Sequence, residues 1–275
     1  MKNIQAFLSE KQPLTYLIPF VVYMAMTSME PEASDFSYPW VYSLKILLTL
    51  ASLFFVFPTL KQFLRAPSFW GLGAGILGAI VWISLCQMDK KSLPDFFPKA
   101  GLEQFLPTSR PGYNPFAHSE SVSTPTPAKE TVKSNNTNLT VKKSNPWFFF
   151  TIRLIGLAII VPIIEEFFLR GLILRFVCVP GGGKKEQGEA APEDAPPMTD
   201  WYDIPIGTLC PMVWAVSVLY PLATHPEALA GIVWFCGITL LAWKTKSLSD
   251  CISAHAITNL ALGLWVLYSG QWNLL

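Results

Sequence analysis

Residues 147–176 stay almost wholly apolar for longer than a helix needs to cross a bilayer core. Backbone in hydrocarbon must satisfy its own hydrogen bonds, so this stretch is committed to α-helix. Its middle, residues 163–175, reads IIEEFFLRGLILR and sets two glutamates and an arginine inside that helix. A charge at the bilayer centre costs on the order of 3 kcal/mol or more, so an ionisable cluster there is a functional-site hypothesis by default. Glu166 and Arg170 stand at i,i+4 on one face and can pair, whereas Glu165 is turned by about 100° from Glu166. One carboxylate is neutralised by its own helix and the other is left free.

Six further apolar runs follow the same logic: residues 14–29, 41–57, 69–87, 206–224, 228–243 and 248–268. They predict an all-α, polytopic membrane bundle of about seven crossings, with an eighth only if the 147–176 run is broken in two. Arg153, near the start of that run, is expected to snorkel toward the interface. Only 14% of the residues are charged, against roughly 25% in a soluble domain, and a formal net charge of +1 offers no footprint for nucleic acid. No basic segment and cleavage site mark a removable signal, so the first run is expected to remain as a helix. Cys86, Cys178, Cys210, Cys236 and Cys251 have no CxxC spacing and read as packed core thiols. Gly71, Gly75 and Ala79 have the spacing that lets a second helix approach closely, unless they are simply loose glycine usage in an apolar helix.

The chain divides into a three-helix membrane region (1–88), a polar extramembrane loop (89–145) and a C-terminal membrane region (146–275). The loop begins with Phe96, Phe97, Phe105, Tyr113 and Phe116, which suit a membrane surface. It continues as a Ser/Thr/Asn/Lys run that reads as disordered linker, with chance sequons at Asn135 and Asn138. A second loop, 181–203, is acidic and rich in Gly, Pro and Ala. Lys61 and Arg65 follow the second run and Lys244 and Lys246 the sixth, while 30–40 carries neither Lys nor Arg. That bias puts the N-terminus inside and both the C-terminus and the long loop outside.

Of the three histidines, His118 lies in the polar loop and reads as solvated, while His225 (LATHPEALAG) and His255 (SAHAITN) belong to the C-terminal runs. A lone membrane histidine is usually a hydrogen-bonded packing group. His255, however, has Asn259 at i,i+4, and two donors side by side in a dry site suit a developing oxyanion.

EEFFLRG, a histidine about 60 residues later and then HAITN together resemble the membrane-embedded CAAX protease and bacteriocin-processing enzyme family, whose motifs are EExxxR, FxxxH and HxxxN. The resemblance covers residues 147–275. The tail HAITNLALGLWVLYSGQW, and the NPF ahead of the motif helix, further resemble a bacterial branch called CAAX prenyl protease-related, found with exosortase protein-sorting systems. The second motif departs, since Pro221 stands four residues before His225, with Tyr220 beside it. The resemblance implies an intramembrane endopeptidase, multi-pass in a bacterial inner membrane, acting without a cofactor on a membrane-anchored or lipid-modified protein segment. It implies Glu165 as general base, His225 as its partner in holding the attacking water, and His255 with Asn259 as receivers of the carbonyl oxygen. Arg170 would stop Glu166 from competing for the proton.

A zinc site of Glu165, His225 and His255 is the runner-up chemistry, because His₂Glu is a catalytic ligand set, but no HExxH or Cys pair supports it. A transporter would use the charges as an ion relay and would be expected to show an internal repeat, and none is visible. A non-catalytic scaffold would tolerate loss of Glu165. With straight alternating spans His225 ends its helix near the outside and His255 begins its own about 10 Å from the inside. They cannot meet that way, and Pro211, Pro221 and Pro226 could bend, shorten or re-enter this segment.

Overall fold

The computed structural model describes residues 12–30, 37–88, 112–117, 145–179 and 200–274. Phe96, Phe97, Phe105, His118, Asn135, Asn138 and most of the acidic 181–203 loop lie outside the described residues. Among the described residues the chain forms seven apolar helices: α1 (Gln12–Thr27), α2 (Tyr38–Leu60), α3 (Phe69–Cys86), α4 (Pro146–Phe176), α5 (Pro211–Thr224), α6 (Ala228–Thr245) and α7 (Leu248–Ser269). By length and composition five of them, α2, α3, α4, α6 and α7, can cross a membrane, while α1 and α5 are apolar but shorter. This is an all-α integral membrane architecture.

No eighth helix arises from α4. Its 31 residues run unbroken, about 47 Å of helix against roughly 30 Å of hydrocarbon. The fifth run, in contrast, is shorter than expected. Helix α5 opens at Pro211, a residue suited to a first helical turn. Just before it, Gly207 takes φ +75°, and a Cβ there would lie 2.0 Å from the Ala242 carbonyl oxygen.

Successive helices run antiparallel and give the bundle two distinct ends. At the basic end, Arg65 Nε donates to Ser247 Oγ at 3.1 Å and Lys246 Nζ to the Gly207 carbonyl at 2.7 Å. Arg175, at the foot of α4, donates to the Ile204 carbonyl at 2.7 Å and lies over Trp201. At the opposite, aromatic end, Phe116 packs on Trp147 and Trp272, and Tyr113 on Tyr38 and Phe149. Arg153 does not snorkel. It is buried beneath this aromatic cap, with Nη1 donating to the Tyr113 carbonyl at 3.0 Å.

Among the packing faces that hold the first three helices to the rest are those of α3 on α7 and of α1 on α4. Gly71 and Gly75 turn toward α7, where a Cβ at Gly75 would sit 2.8 Å from the Ala254 carbonyl, and Thr258 Oγ1 donates to the Gly75 carbonyl at 3.0 Å. Their small-residue spacing is a helix-packing face. At its foot Asp250 accepts from the Ser68 backbone N–H at 2.6 Å and fixes the start of α3. Helix α1 lies along α4, stacking Tyr16 on Phe167 and Phe20 on Phe168 with ring centroids 4.3 and 4.0 Å apart.

The cysteines need one correction. Cys178 and Cys210 form a disulfide, with Cα atoms 5.8 Å apart, a separation that suits one. The chain leaves α4 and enters α5 at the same end of the bundle, and that return brings together two thiols distant in sequence. Cys86, Cys236 and Cys251 are free.

Candidate active site

Two π-helical turns, Gly156–Ile160 and Leu169–Ile173, bracket the α-helical segment Val161–Phe168 that carries both glutamates. Such turns concentrate at functional sites. Pro162 supplies a local reason for the first. The Val161 N–H reaches back five residues to the Gly156 carbonyl, and in that register the Leu157 carbonyl faces Pro162, which has no proton to give. Asn259 Nδ2 donates to this freed carbonyl at 2.9 Å. One of the proposed site residues thus also serves the backbone of the helix it faces.

Glu166, with no solvent exposure, is held from two sides. Arg170 Nη1 lies 3.1 Å from Glu166 Oε2, and Arg170 Nη2 donates to the Phe235 carbonyl at 3.2 Å. His255 Nδ1 lies 3.0 Å from Glu166 Oε1, with its ring centroid 4.5 Å from that of Trp234. A carboxylate oxygen accepts, so a proton on His255 Nδ1 is donated to Glu166 Oε1. Nε2 can then donate only when the ring carries both protons. Arg170 Nε has no hydrogen-bond partner, and the arginine also lines a small cavity with Leu174, Val213 and Thr239.

Glu165 is also buried, at 7% exposure, but its Oε2 has no hydrogen-bond partner. The side chains of Tyr220 and His255, and Tyr23 of α1, lie within electrostatic reach of its carboxylate. Adjacent residues on one helix therefore stand in different conditions: Glu166 is hydrogen-bonded through Oε1 and ion-paired through Oε2, whereas Glu165 Oε2 has neither a hydrogen bond nor an ion pair.

His225 closes α5, its backbone N–H donating to the Pro221 carbonyl at 2.9 Å, so proline at the second-motif position leaves the last helical turn intact. Its Nδ1 lies 2.7 Å from Thr224 Oγ1, and its ring packs against Trp82 and Phe235. His225 and His255 share the wall built by Trp82, Trp234 and Phe235 and influence each other electrostatically. The apparent obstacle to their meeting is removed by the brevity of α5, about 21 Å, which ends inside the bundle. Gly231 lets α6 close on that end, since a Cβ there would lie 2.9 Å from Pro221 Cβ.

Glu165, Glu166, Arg170 and His255 thus lie within electrostatic reach of one another, and His225 stands beside Tyr220 and within reach of His255. Asn259 and His255 do not share an acceptor: they contact Leu157 and Glu166, nine residues apart on α4. Among the described residues no group of three His, Cys, Asp or Glu is arranged to hold a metal ion. Tyr220 and the two tryptophans were not singled out by motif spacing. A tyrosine in an apolar run carries a hydroxyl that needs a partner, and that was the available signal for Tyr220.

Residues 146–261 match the family model for type II CAAX prenyl endopeptidases, Rce1-like. No curated protein and no solved structure matches the chain.

Proposed function

We propose, from the premise that residues 146–261 are an Rce1-like type II CAAX prenyl endopeptidase domain and hence the domain of a peptidase, that this chain cuts a peptide bond of a membrane-anchored or lipid-modified protein with a water activated by Glu165. The observation that carries the reading is the unpaired Oε2 of Glu165 inside a frame of paired charges. A base must be within reach of its proton and not already committed, and of the two glutamates only Glu165 meets that condition.

Glu165 takes a proton from water as the water oxygen attacks the carbonyl carbon. The carbonyl oxygen gathers charge and is received by His255 Nε2, in the doubly protonated ring, and by the second N–H of Asn259. Glu165 then passes the proton to the departing nitrogen. Glu166 and Arg170 orient His255 and exclude a second base. His225, anchored through Nδ1 on Thr224, presents Nε2 to the water. No metal is needed, and exhaustive chelation is expected to leave activity intact. The region 1–88 serves as the membrane-embedded companion of the catalytic region 146–275.

Glu165→Gln tests the reading. It preserves shape and removes the base, and is expected to abolish cleavage while insertion and accumulation stay at wild-type level. Terminal proteomics of membrane proteins with and without the gene would name the substrates, with lipid-modified and exosortase-sorted proteins of a bacterial inner membrane as the first class to inspect. Loss of activity on chelation that zinc alone restores would instead favour Glu165, His225 and His255 as ligands.

Orientation has two opposed signals at one end. Lys61, Arg65, Lys244 and Lys246 assign the basic end to the cytoplasm, yet the Cys178–Cys210 disulfide lies there too, and disulfides persist in oxidising compartments. The loop charges set insertion, so reporter fusions after Arg65 and Lys246 are expected to read cytoplasmic. A periplasmic signal from both would reverse the assignment and favour the disulfide.

A further inference from the structure

Two orphaned polar atoms meet beside Glu165. The Tyr220 hydroxyl is shielded from solvent and has no hydrogen-bond partner, and the same holds for Glu165 Oε2. The two side chains interact, but not with the geometry of a normal hydrogen bond. A polar atom left unmet in a dry interior is destabilising, and a single water bonded to both would satisfy the two together. Tyr220 is fixed from several sides, its ring 5.1 Å from that of Phe235 and 6.2 Å from that of Phe20 on α1. Its neighbour His225, 6.4 Å away between ring centroids, has Nδ1 engaged with Thr224.

We propose that Tyr220 is a further catalytic residue, whose hydroxyl and Glu165 Oε2 together hold the attacking water. The proposal rests on the reading of Glu165 as base. The Tyr220 O–H donates to the water oxygen, and the water donates one of its protons to Glu165 Oε2. A lone pair of that oxygen remains to attack the carbonyl. As the new C–O bond forms, the proton moves to Glu165 and the carbonyl π pair moves onto the carbonyl oxygen. When the C–N bond breaks, its electron pair leaves with nitrogen, which receives the proton from Glu165. Tyr220 retains its own proton throughout, so it orients the nucleophile without entering the proton balance. This role also accounts for the altered second motif. Pro221 closes against Gly231 where the family has phenylalanine, and the adjacent residue supplies both an aromatic ring and a hydroxyl.

Tyr220→Phe keeps the ring and deletes the hydroxyl. With purified full-length protein and a quenched fluorescent peptide ending in a farnesylated CAAX sequence, kcat is expected to fall about 10- to 100-fold with KM unchanged, the size of a lost hydrogen bond to a charged assembly. Glu165→Gln is assayed alongside. Full turnover in Tyr220→Phe with an inactive Glu165→Gln overturns the role of Tyr220 and leaves the base reading standing. An active Glu165→Gln overturns the base reading itself. Should Tyr220→Phe fail to accumulate, 3-fluorotyrosine at 220 keeps packing and hydroxyl while making the phenol more acidic. A shifted kcat–pH profile supports the proposal and an unchanged one overturns it. Independently of any substrate, a high-resolution density map is expected to show a water bonded to both oxygens. A direct Tyr220–Glu165 bond with no water between them overturns the proposal.

Discussion

In α2, Lys45 is 2% exposed, ion-paired with Glu30 at the end of α1, and has its ammonium 4.4 Å from the Tyr23 and Tyr42 ring centroids. In α4, Glu166 is buried between Arg170 and His255. Both are charge clusters inside apolar helices, and both carry the desolvation cost that such burial implies. They differ in their surroundings. Around Lys45 the neighbours are the faces of two tyrosines, the Tyr23 hydroxyl and one partly exposed carboxylate, with which the ammonium is ion-paired. Around Glu166 the neighbours include one oxygen of a second carboxylate, Glu165 Oε2, and a tyrosine hydroxyl, neither of which has a hydrogen-bond partner. Buried charge alone therefore does not distinguish support from site. What sets the Glu166 cluster apart is the pair of buried polar atoms beside it that neither a hydrogen bond nor an ion pair reaches, Glu165 Oε2 and the Tyr220 hydroxyl.

That comparison breaks first if the Glu166 frame proves dispensable. Glu166→Gln or Arg170→Ala leaves one buried charge without its partner and is expected to destabilise the protein by about 3–5 kcal/mol, the usual cost of breaking such a pair. Protein level in membranes and the midpoint of thermal unfolding would show it, and activity per molecule would fall as well because His255 loses its orienting carboxylate. The double replacement Glu166→Gln with Arg170→Met removes both charges and should recover most of the stability but none of the activity. Wild-type accumulation of Arg170→Ala would mean that Glu166 is not held as an ion.

The next effect is smaller and separates two duties of one side chain. Asn259→Ala leaves the Leu157 carbonyl without a donor, at about 1–3 kcal/mol. Pro162→Ala restores an N–H that can reach that carbonyl, so the double variant should regain stability in unfolding measurements. If Asn259 also receives the substrate oxygen, turnover will stay low in the double variant. Recovered turnover would assign Asn259 to the backbone of α4 alone.

This duality shows where the sequence was legible. The helices could be read because hydrocarbon allows little else, and the Glu166–Arg170 pair because i,i+4 spacing fixes its reach. Spacing also put His255 and Asn259 on one face, but could not say what stood opposite them. The answer depended on Pro162, whose missing proton diverts Asn259 to the Leu157 carbonyl. The Cys178–Cys210 contact and the burial of Arg153 were hidden for a similar reason, since each depends on where a distant segment returns. Pro221 reads as a departure from a motif, and the hydroxyl of Tyr220 next to it acquires meaning only beside Glu165.

The smallest expected effect lies on the other side of the comparison. If the Lys45 cluster is support, removing both of its charges together should be nearly neutral, because an ion pair replaced by apolar or neutral groups of similar size recovers its desolvation cost. Lys45→Met with Glu30→Gln is therefore expected to change stability by less than about 1 kcal/mol and turnover by less than about twofold. Lys45→Met alone should cost little more, since Glu30 retains 16% exposure and can turn to water. The test is demanding because Lys45 touches Tyr23, and Tyr23 lies within electrostatic reach of Glu165. A large loss of turnover in the double variant, with unfolding unchanged, would show that charge on α2 is felt at the catalytic carboxylate. Lys45 would then belong to the site, and α1 and α2 would be part of the enzyme's chemistry as well as its packing.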